Sequence, residues 1–117
     1  DFCVLSLSDR LTPWEVIEKR LACAAQGDFA LALYNPSSKG RPDYLRRAVD
    51  ILLAHGKAPD TLCGWVRNIG RTGQSSGITT LNRLGKLELD MFTTVFIGAS
   101  STRVVEGHMV TPRGYRT

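Results

Sequence analysis

The sequence has no apolar run longer than a few residues, far short of the roughly 20 that a membrane-spanning helix needs, and no signal-peptide pattern opens it. A membrane span is excluded, and no membrane partner is expected. Cysteine is scarce: Cys3, Cys23 and Cys63 lie far apart, are odd in number and form no CxxC pair, which argues against a disulfide framework or a thiolate zinc site. The expectation is reduced thiols in a cytoplasmic protein. Histidine is scarcer still. His55 and His108 are distant, no HExxH occurs and no carboxylate cluster stands near them, so no metal site is expected. No serine sits in a GxSxG elbow and no cysteine has an obvious base partner, so covalent hydrolase chemistry has no positive sign. Gly70-Arg71-Thr72-Gly73 is reminiscent of a phosphate loop but lacks the Gly-Lys-Ser/Thr ending, and GxGxxG is absent. Nucleotide-phosphate binding is left without support.

What is present suffices for one ordered domain. Of 117 residues, 43% are hydrophobic and 22% charged, and a chain of this size buries roughly two-thirds of its unfolded surface without a covalent or metal staple. The net charge of +4 is unevenly placed. Up to residue 60, eight basic and eight acidic side chains cancel. Beyond it, seven basic residues (Arg67, Arg71, Arg83, Lys86, Arg103, Arg113 and Arg116) stand against only Glu88, Asp90 and Glu106. A modest positive field suits an anionic partner, but its density is low for nucleic acid, which is not expected as a partner.

Residues 1–8 read as a strand, apolar through Leu5 and then alternating with serine. A chain that enters directly on a core strand has the look of a piece of something longer. Thr12-Pro13-Trp14-Glu15 predicts a helix start with threonine as cap, proline in the first turn and glutamate completing a capping box. Trp14, Ile17, Leu21 and Ala24 then form a core stripe, and Gly27 ends the helix in the left-handed conformation. Phe29 to Tyr34 is continuously apolar, as in a strand buried on both faces by helices. After the polar segment 37–42, Leu45, Val49 and Leu52 mark a second amphipathic helix that ends at Gly56, with His55 placed to complement its dipole. Leu62 to Val66 is the next strand, with Trp65 expected in the core.

Strand, helix, strand, helix, strand implies an α/β sheet with parallel pairing and helices packed on it. The second half is less regular: a flexible loop over 71–77, a short helix from Thr80 to Leu87, a strand from Phe92 to Ile97 and a final edge strand over 108–111. Ligands of open parallel sheets lie at the carboxyl ends of the strands. That selects Tyr34-Asn35-Pro36-Ser37, Arg67-Asn68-Ile69-Gly70 and Gly98 to Arg103. Asn-Pro and Asn-x-Gly are equally ordinary turn chemistry, so residue types alone leave two readings open: turns only, or turns that also bind a small polar ligand.

Five ordered motifs go further: Leu7-Ser8-Asp9 with Leu11-Thr12-Pro13-Trp14; Ala32-Leu33-Tyr34-Asn35-Pro36; Val66-Arg67-Asn68; Asp90 to Val95 with Ile97-Gly98; and Met109 to Tyr115. Together they resemble the C-terminal half of the precorrin-3B C(17)-methyltransferases, of the tetrapyrrole methylase family. The resemblance covers essentially the whole chain. It implies an α/β, three-layer domain whose mixed, largely parallel central sheet is flanked by helices. Residues 1–117 would be the C-terminal half of a two-domain methyltransferase, without the glycine-rich N-terminal domain. It implies a cytoplasmic homodimer with S-adenosylmethionine in the cleft between domains. The reaction would be methyl transfer to C-17 of precorrin-3B, coupled to ring contraction to precorrin-4 in cobalamin biosynthesis.

The same resemblance implies cofactor contacts at Leu33, Tyr34, Asn35, Val66, Arg67, Asn68, Thr111 and Pro112. Lys39, Arg41, Arg71 and Arg113 are candidates for the carboxylates of the precorrin, since guanidinium forks pair well with carboxylates. No acid or base is assigned, because methyl transfer needs mainly alignment of donor and acceptor carbons. The Gly73-Gln74-Ser75-Ser76 stretch departs from the family by lacking an acidic residue. Two alternatives stand beside this reading: a methylase of the same fold acting on RNA or protein, and a non-enzymatic ligand-binding or dimerisation module.

Overall fold

A computed structural model describes residues 1–36 and 42–113. The first strand, β1 (Phe2–Ser6), leads into helix α1 (Trp14–Gln26), followed by β2 (Ala30–Tyr34), α2 (Tyr44–Ala54) and β3 (Leu62–Arg67). Then come β4 (Ser75–Thr80), the short α3 (Leu81–Leu84), β5 (Thr93–Ile97) and a hairpin of β6 (Arg103–Val105) and β7 (His108–Val110).

Five strands form one mixed sheet in the order β1-β2-β5-β3-β4. Only the β1–β2 pair is parallel; β5 pairs antiparallel to both β2 and β3, and β4 pairs antiparallel to β3. The α/β class and the mixed sheet with flanking helices stand as expected. The sheet is less parallel in its pairing than expected, because β5 enters between β2 and β3. Those two strands still run in the same direction as β1, as strand–helix–strand crossovers require.

The two crossovers advance across the sheet in one direction, so connections of one hand put both helices on one face. Accordingly Ile17 and Leu21 of α1, Leu45 and Leu52 of α2 and Leu81 and Leu84 of α3 share one core with Leu31, Leu33, Cys63, Val95 and Ile97. Each such leucine contributes about 1.5–3 kcal/mol by leaving water. Among the described residues the opposite face has no helix, so the third layer is the β6–β7 hairpin. Strand β2 is therefore covered on one face only: Leu31 and Leu33 are buried, Ala30 and Ala32 partly open and Tyr34 exposed. Across the open face runs the row Val4, Ala32, Phe96, Gly64 and Ile78. Val4, Ile78 and Phe96 are exposed.

Several local expectations change. Pro13, not Thr12, is the N-cap of α1, and no side chain caps it; the Val16 and Ile17 N–H groups bond to the Pro13 carbonyl instead. The left-handed residue after α1 is Asp28 (φ 56), while Gly27 has φ −84. A Cβ on Gly27 would meet the Phe29 ring at 2.8 Å, so close approach is what requires glycine there. Part of the segment read as a loop is β4, and residues 108–110 pair with β6 in a separate hairpin rather than at the sheet edge.

Candidate functional site

The carboxyl ends of β1, β2 and β3 meet at one edge of the sheet, with the start of β5 between the last two. Tyr34, Thr94 and Val66 stand in one cross-strand row there. The next residue after β2, Asn35, and the next after β3, Asn68, have φ of 53 and 54. Asparagine is one of the few side chains that enter this left-handed region readily, so both strands are stopped the same way on either side of β5. The Asn68 N–H is fixed to the Phe92 carbonyl at 3.1 Å.

Arg67 projects from the same edge, half exposed, with Nε 2.7 Å from Asp90 Oδ2. Burial pushes the Asp90 carboxyl up, but hydrogen bonds from Thr93 Oγ1, Arg67 and the Phe92 N–H together hold it below its ordinary value. Arg71 lies 6.0 Å over the Phe92 ring, in a loop where the Gly70 N–H donates to Gln74 Oε1 at 2.8 Å. Gln74 thus supplies the acceptor that closes this loop without an acidic residue. Lys39 and Arg41 lie outside the described residues.

A second feature is a cavity of about 470 Å3 on the open sheet face, within the range of small-ligand pockets. Its floor is short-chained, with Ala32 and Gly64, and Phe96 and Ile78 stand beside them; His108 and Met109 of the hairpin cover it. Met109 Sδ is 3.4 Å from where a Cβ on Gly64 would be. Val66 and Thr111 both line this cavity, and Thr111 Oγ1 shares a hydrogen bond of 2.7 Å with Thr102 Oγ1. Pro112 is partly buried and Arg113 exposed beyond it. Leu33 is fully buried on the helix side, so its side chain packs in the core behind Tyr34.

Tyr34 and Asn35 line a different cavity of about 570 Å3, with Ser6, Ser8, Arg10, Leu11 and Thr12. None of those five residues was selected as a site residue, although the loop after β1 obeys the strand-end rule as well as the others do. The Gly98–Arg103 loop, by contrast, lies at the opposite edge, because β5 runs backward. Its Gly98 N–H bonds to the Leu62 carbonyl at 2.8 Å. The small residues of the cavity floor had a signal too: the alternation of Ala30 and Ala32 with Leu31 and Leu33 separates an open face from a packed one. Among the described residues no group of three or more His, Cys, Asp or Glu is placed to hold a metal, and no helix is long and apolar enough to cross a membrane.

No family profile matches the sequence. The probable cobalt-factor III C(17)-methyltransferase of Salmonella typhimurium is 47% identical over 115 residues, which are 98% of this chain and 47% of that protein. The precorrin-3B C(17)-methyltransferase of a Sinorhizobium species is 41% identical over 120 residues, again 98% of this chain and 47% of the relative. The crystal structure of the methyltransferase CobJ superposes with a TM-score of 0.87 at 40% identity, covering 96% of this chain and 46% of that one. The chain therefore spans about half the length of the relatives it matches. The resemblance carried by the five motifs is borne out. The chain is thus homologous to about half of each of these cobalt-factor III and precorrin-3B C(17)-methyltransferases and shares their fold over that half.

Proposed function

We propose that the chain is the C-terminal half of a two-domain, S-adenosylmethionine-dependent enzyme that methylates C-17 of a precorrin-3B-type macrocycle with ring contraction. The observation that carries this reading is the convergence of Val66 and Thr111, far apart in sequence, on one mainly apolar cavity beside the edge bearing Asn35, Arg67 and Asn68. An apolar cavity with a short-chained floor suits the flat adenosyl group. When bound, S-adenosylmethionine supplies the electrophilic methyl group.

The residues of this half bind and orient. Phe96 and Ile78 give the adenosyl group apolar walls, while the Thr111 hydroxyl and the backbone after Val66 offer polar contacts. Tyr34, Asn35 and Asn68 shape the strand edge where the macrocycle lies. Arg67, Arg71 and Arg113, with Lys39 and Arg41, receive its peripheral carboxylates. No side chain here is asked to act as nucleophile, since methyl transfer depends on holding the two carbons in line. The family resemblance brings with it a homodimer in the cytoplasm, and the three free thiols are in keeping with a reducing compartment.

Gly64→Val in the enzyme containing this chain tests the reading, because the added methyls enter the cavity floor. The expected result is a KM for S-adenosylmethionine raised about tenfold or more, with the KM for the macrocycle little changed. An unchanged KM for the methyl donor would remove the cavity from the mechanism.

A further inference from the structure

The loop after β1 places a cation, an exposed apolar side chain and several hydroxyls around the cavity of about 570 Å3 at the same strand edge. Leu7 is fully buried and anchors the start of this loop. Asp9 fixes its middle, accepting the Tyr44 hydroxyl on Oδ2 at 2.6 Å. Tyr44 in turn stacks on Trp14 with ring centroids 4.5 Å apart, and the Arg47 guanidinium covers the Trp14 ring at 4.5 Å and that of Tyr44 at 5.2 Å. With Asp9 held, the next two residues stand clear: Arg10 is exposed and Leu11 is 99% exposed.

A leucine left entirely in water beside an arginine that has no ion-pair partner among the described residues needs an explanation, since the loop carrying them is well anchored. The surrounding groups indicate one. Ser8, Thr12, Tyr34 and Asn35, all with polar side chains, line the cavity beside Arg10, and the Ser8 hydroxyl accepts the Arg10 N–H at 3.4 Å. A guanidinium ringed by donors recognises an oxyanion, and a neighbouring apolar side chain favours a ligand whose acidic group hangs from a flat apolar body.

We propose that this loop is a carboxylate subsite of the macrocycle cleft, in which Arg10 pairs with a peripheral carboxylate and Leu11 packs on the ring. The inference rests on the functional reading above and adds to it a specificity element whose cation, Arg10, none of the five motifs contains. Arg10 falls at the position between the two parts of the first motif. Its exposure makes its substitution neutral for folding, so binding effects can be read directly.

The test is fluorescence titration with uroporphyrin, an eight-carboxylate tetrapyrrole, and with propane-1,2,3-tricarboxylate, which has carboxylates but no ring. Arg10→Gln is expected to weaken uroporphyrin binding about tenfold and Arg10→Lys less. Arg83→Gln, a charge-matched control on α3, should leave binding unchanged. Leu11→Ser should weaken uroporphyrin but not the tricarboxylate. If Arg10→Gln binds uroporphyrin like the parent, or Arg83→Gln loses as much, the subsite is overturned while the tetrapyrrole reading survives. Arg10-dependent binding of the tricarboxylate without uroporphyrin binding removes the tetrapyrrole reading and overturns the macrocycle subsite with it, leaving a site for small carboxylates. Binding of neither probe overturns the subsite.

Discussion

Ser100 donates to both oxygens of Asp28, its N–H to Oδ1 at 2.9 Å and its hydroxyl to Oδ2 at 2.5 Å. The pair ties the turn before β2 to the loop after β5 at the edge remote from the proposed cleft. Beside it Lys57, nearly buried, donates to the carbonyls of Phe29 at 2.7 Å and Gly98 at 2.6 Å, joining the same two segments. The Ser100 hydroxyl and N–H lower the Asp28 carboxyl; burial opposes them and Lys57 adds a smaller lowering. A depressed folded value means that the contribution is present above the unfolded value near 3.9 and lost as pH falls through the folded one. Because Asp28 is largely exposed, screening limits the effect to on the order of 1 kcal/mol or less. Asp28→Asn keeps a residue suited to positive φ and removes the charge. Urea melts should show it less stable than the parent at pH 7 and equal to it near pH 2; a gap that persists in acid would assign the effect to geometry rather than charge.

Asn35 and Asn68 allow backbone and side chain to be separated. At φ of 53 and 54, replacement by alanine costs about 1 kcal/mol each through the left-handed backbone, whereas glycine costs nothing there. Asn35→Gly and Asn68→Gly should therefore fold as stably as the parent yet reduce kcat/KM of the complete enzyme, if the side-chain amides touch ligand. Parental turnover in both glycine variants would leave these asparagines as turn residues alone, the bland alternative that the sequence left open.

Where the sequence was legible, the reason was periodicity within one element. In the stripe Trp14, Ile17, Leu21 and Ala24 the last three are buried and Trp14 is partly buried against the core, and Leu45, Val49 and Leu52 are all buried where the spacing puts them. What it did not disclose depends on partners distant in the chain. Nothing local says that β5 lies between β2 and β3, so the Gly98–Arg103 loop was grouped with the wrong edge. Strand β4 was hidden because Ser75-Ser76-Gly77 lacks bulk, and the structure supplies the cause: a Cβ on Gly77 would lie 2.7 Å from Trp65 Nε1, so the cross-strand neighbour occupies the space. Thr12 and Glu15 had the spacing of a capping box, yet the carbonyl of Pro13 took the first helical N–H groups. Five motifs marked the resemblance, but they passed over Arg10 and gave no role to Leu11, whose interest lies in exposure beside a cavity.

The three thiols should differ sharply in reactivity. Cys63 is fully buried, and burial pushes its thiol up to about 12 against smaller lowering from Lys57 and the Gly98 N–H. Cys23 is exposed and Cys3 half-buried. Because the thiolate is the reacting species, iodoacetamide at pH 8 should label Cys23 first and Cys3 more slowly, with Cys63 protected until the protein is unfolded. Mass spectrometry of the labelled peptides reads the order. Native labelling of Cys63 at the rate of Cys23 would mean that the sheet opens locally around β3.

Arg67 is engaged by Asp90 rather than free, and this sets the sign of a last prediction. Asp90 also accepts the Phe92 N–H and the Thr93 hydroxyl on Oδ1, both at 3.0 Å, so it shapes the entry to β5 as well as neutralising the guanidinium. Asp90→Asn keeps an oxygen for those two bonds and removes the charge that competes with a ligand carboxylate. An exposed pair of this kind is worth no more than about 1 kcal/mol, so releasing it should tighten uroporphyrin binding by about fivefold at most. The gain should shrink as salt is added, because the charges are screened. Asp90→Ala, which also breaks the turn, should lose about 1–2 kcal/mol of stability on urea melting. If Asp90→Asn binds the porphyrin no better than the parent at low salt, Arg67 serves to order the strand edge and takes no part in receiving the macrocycle.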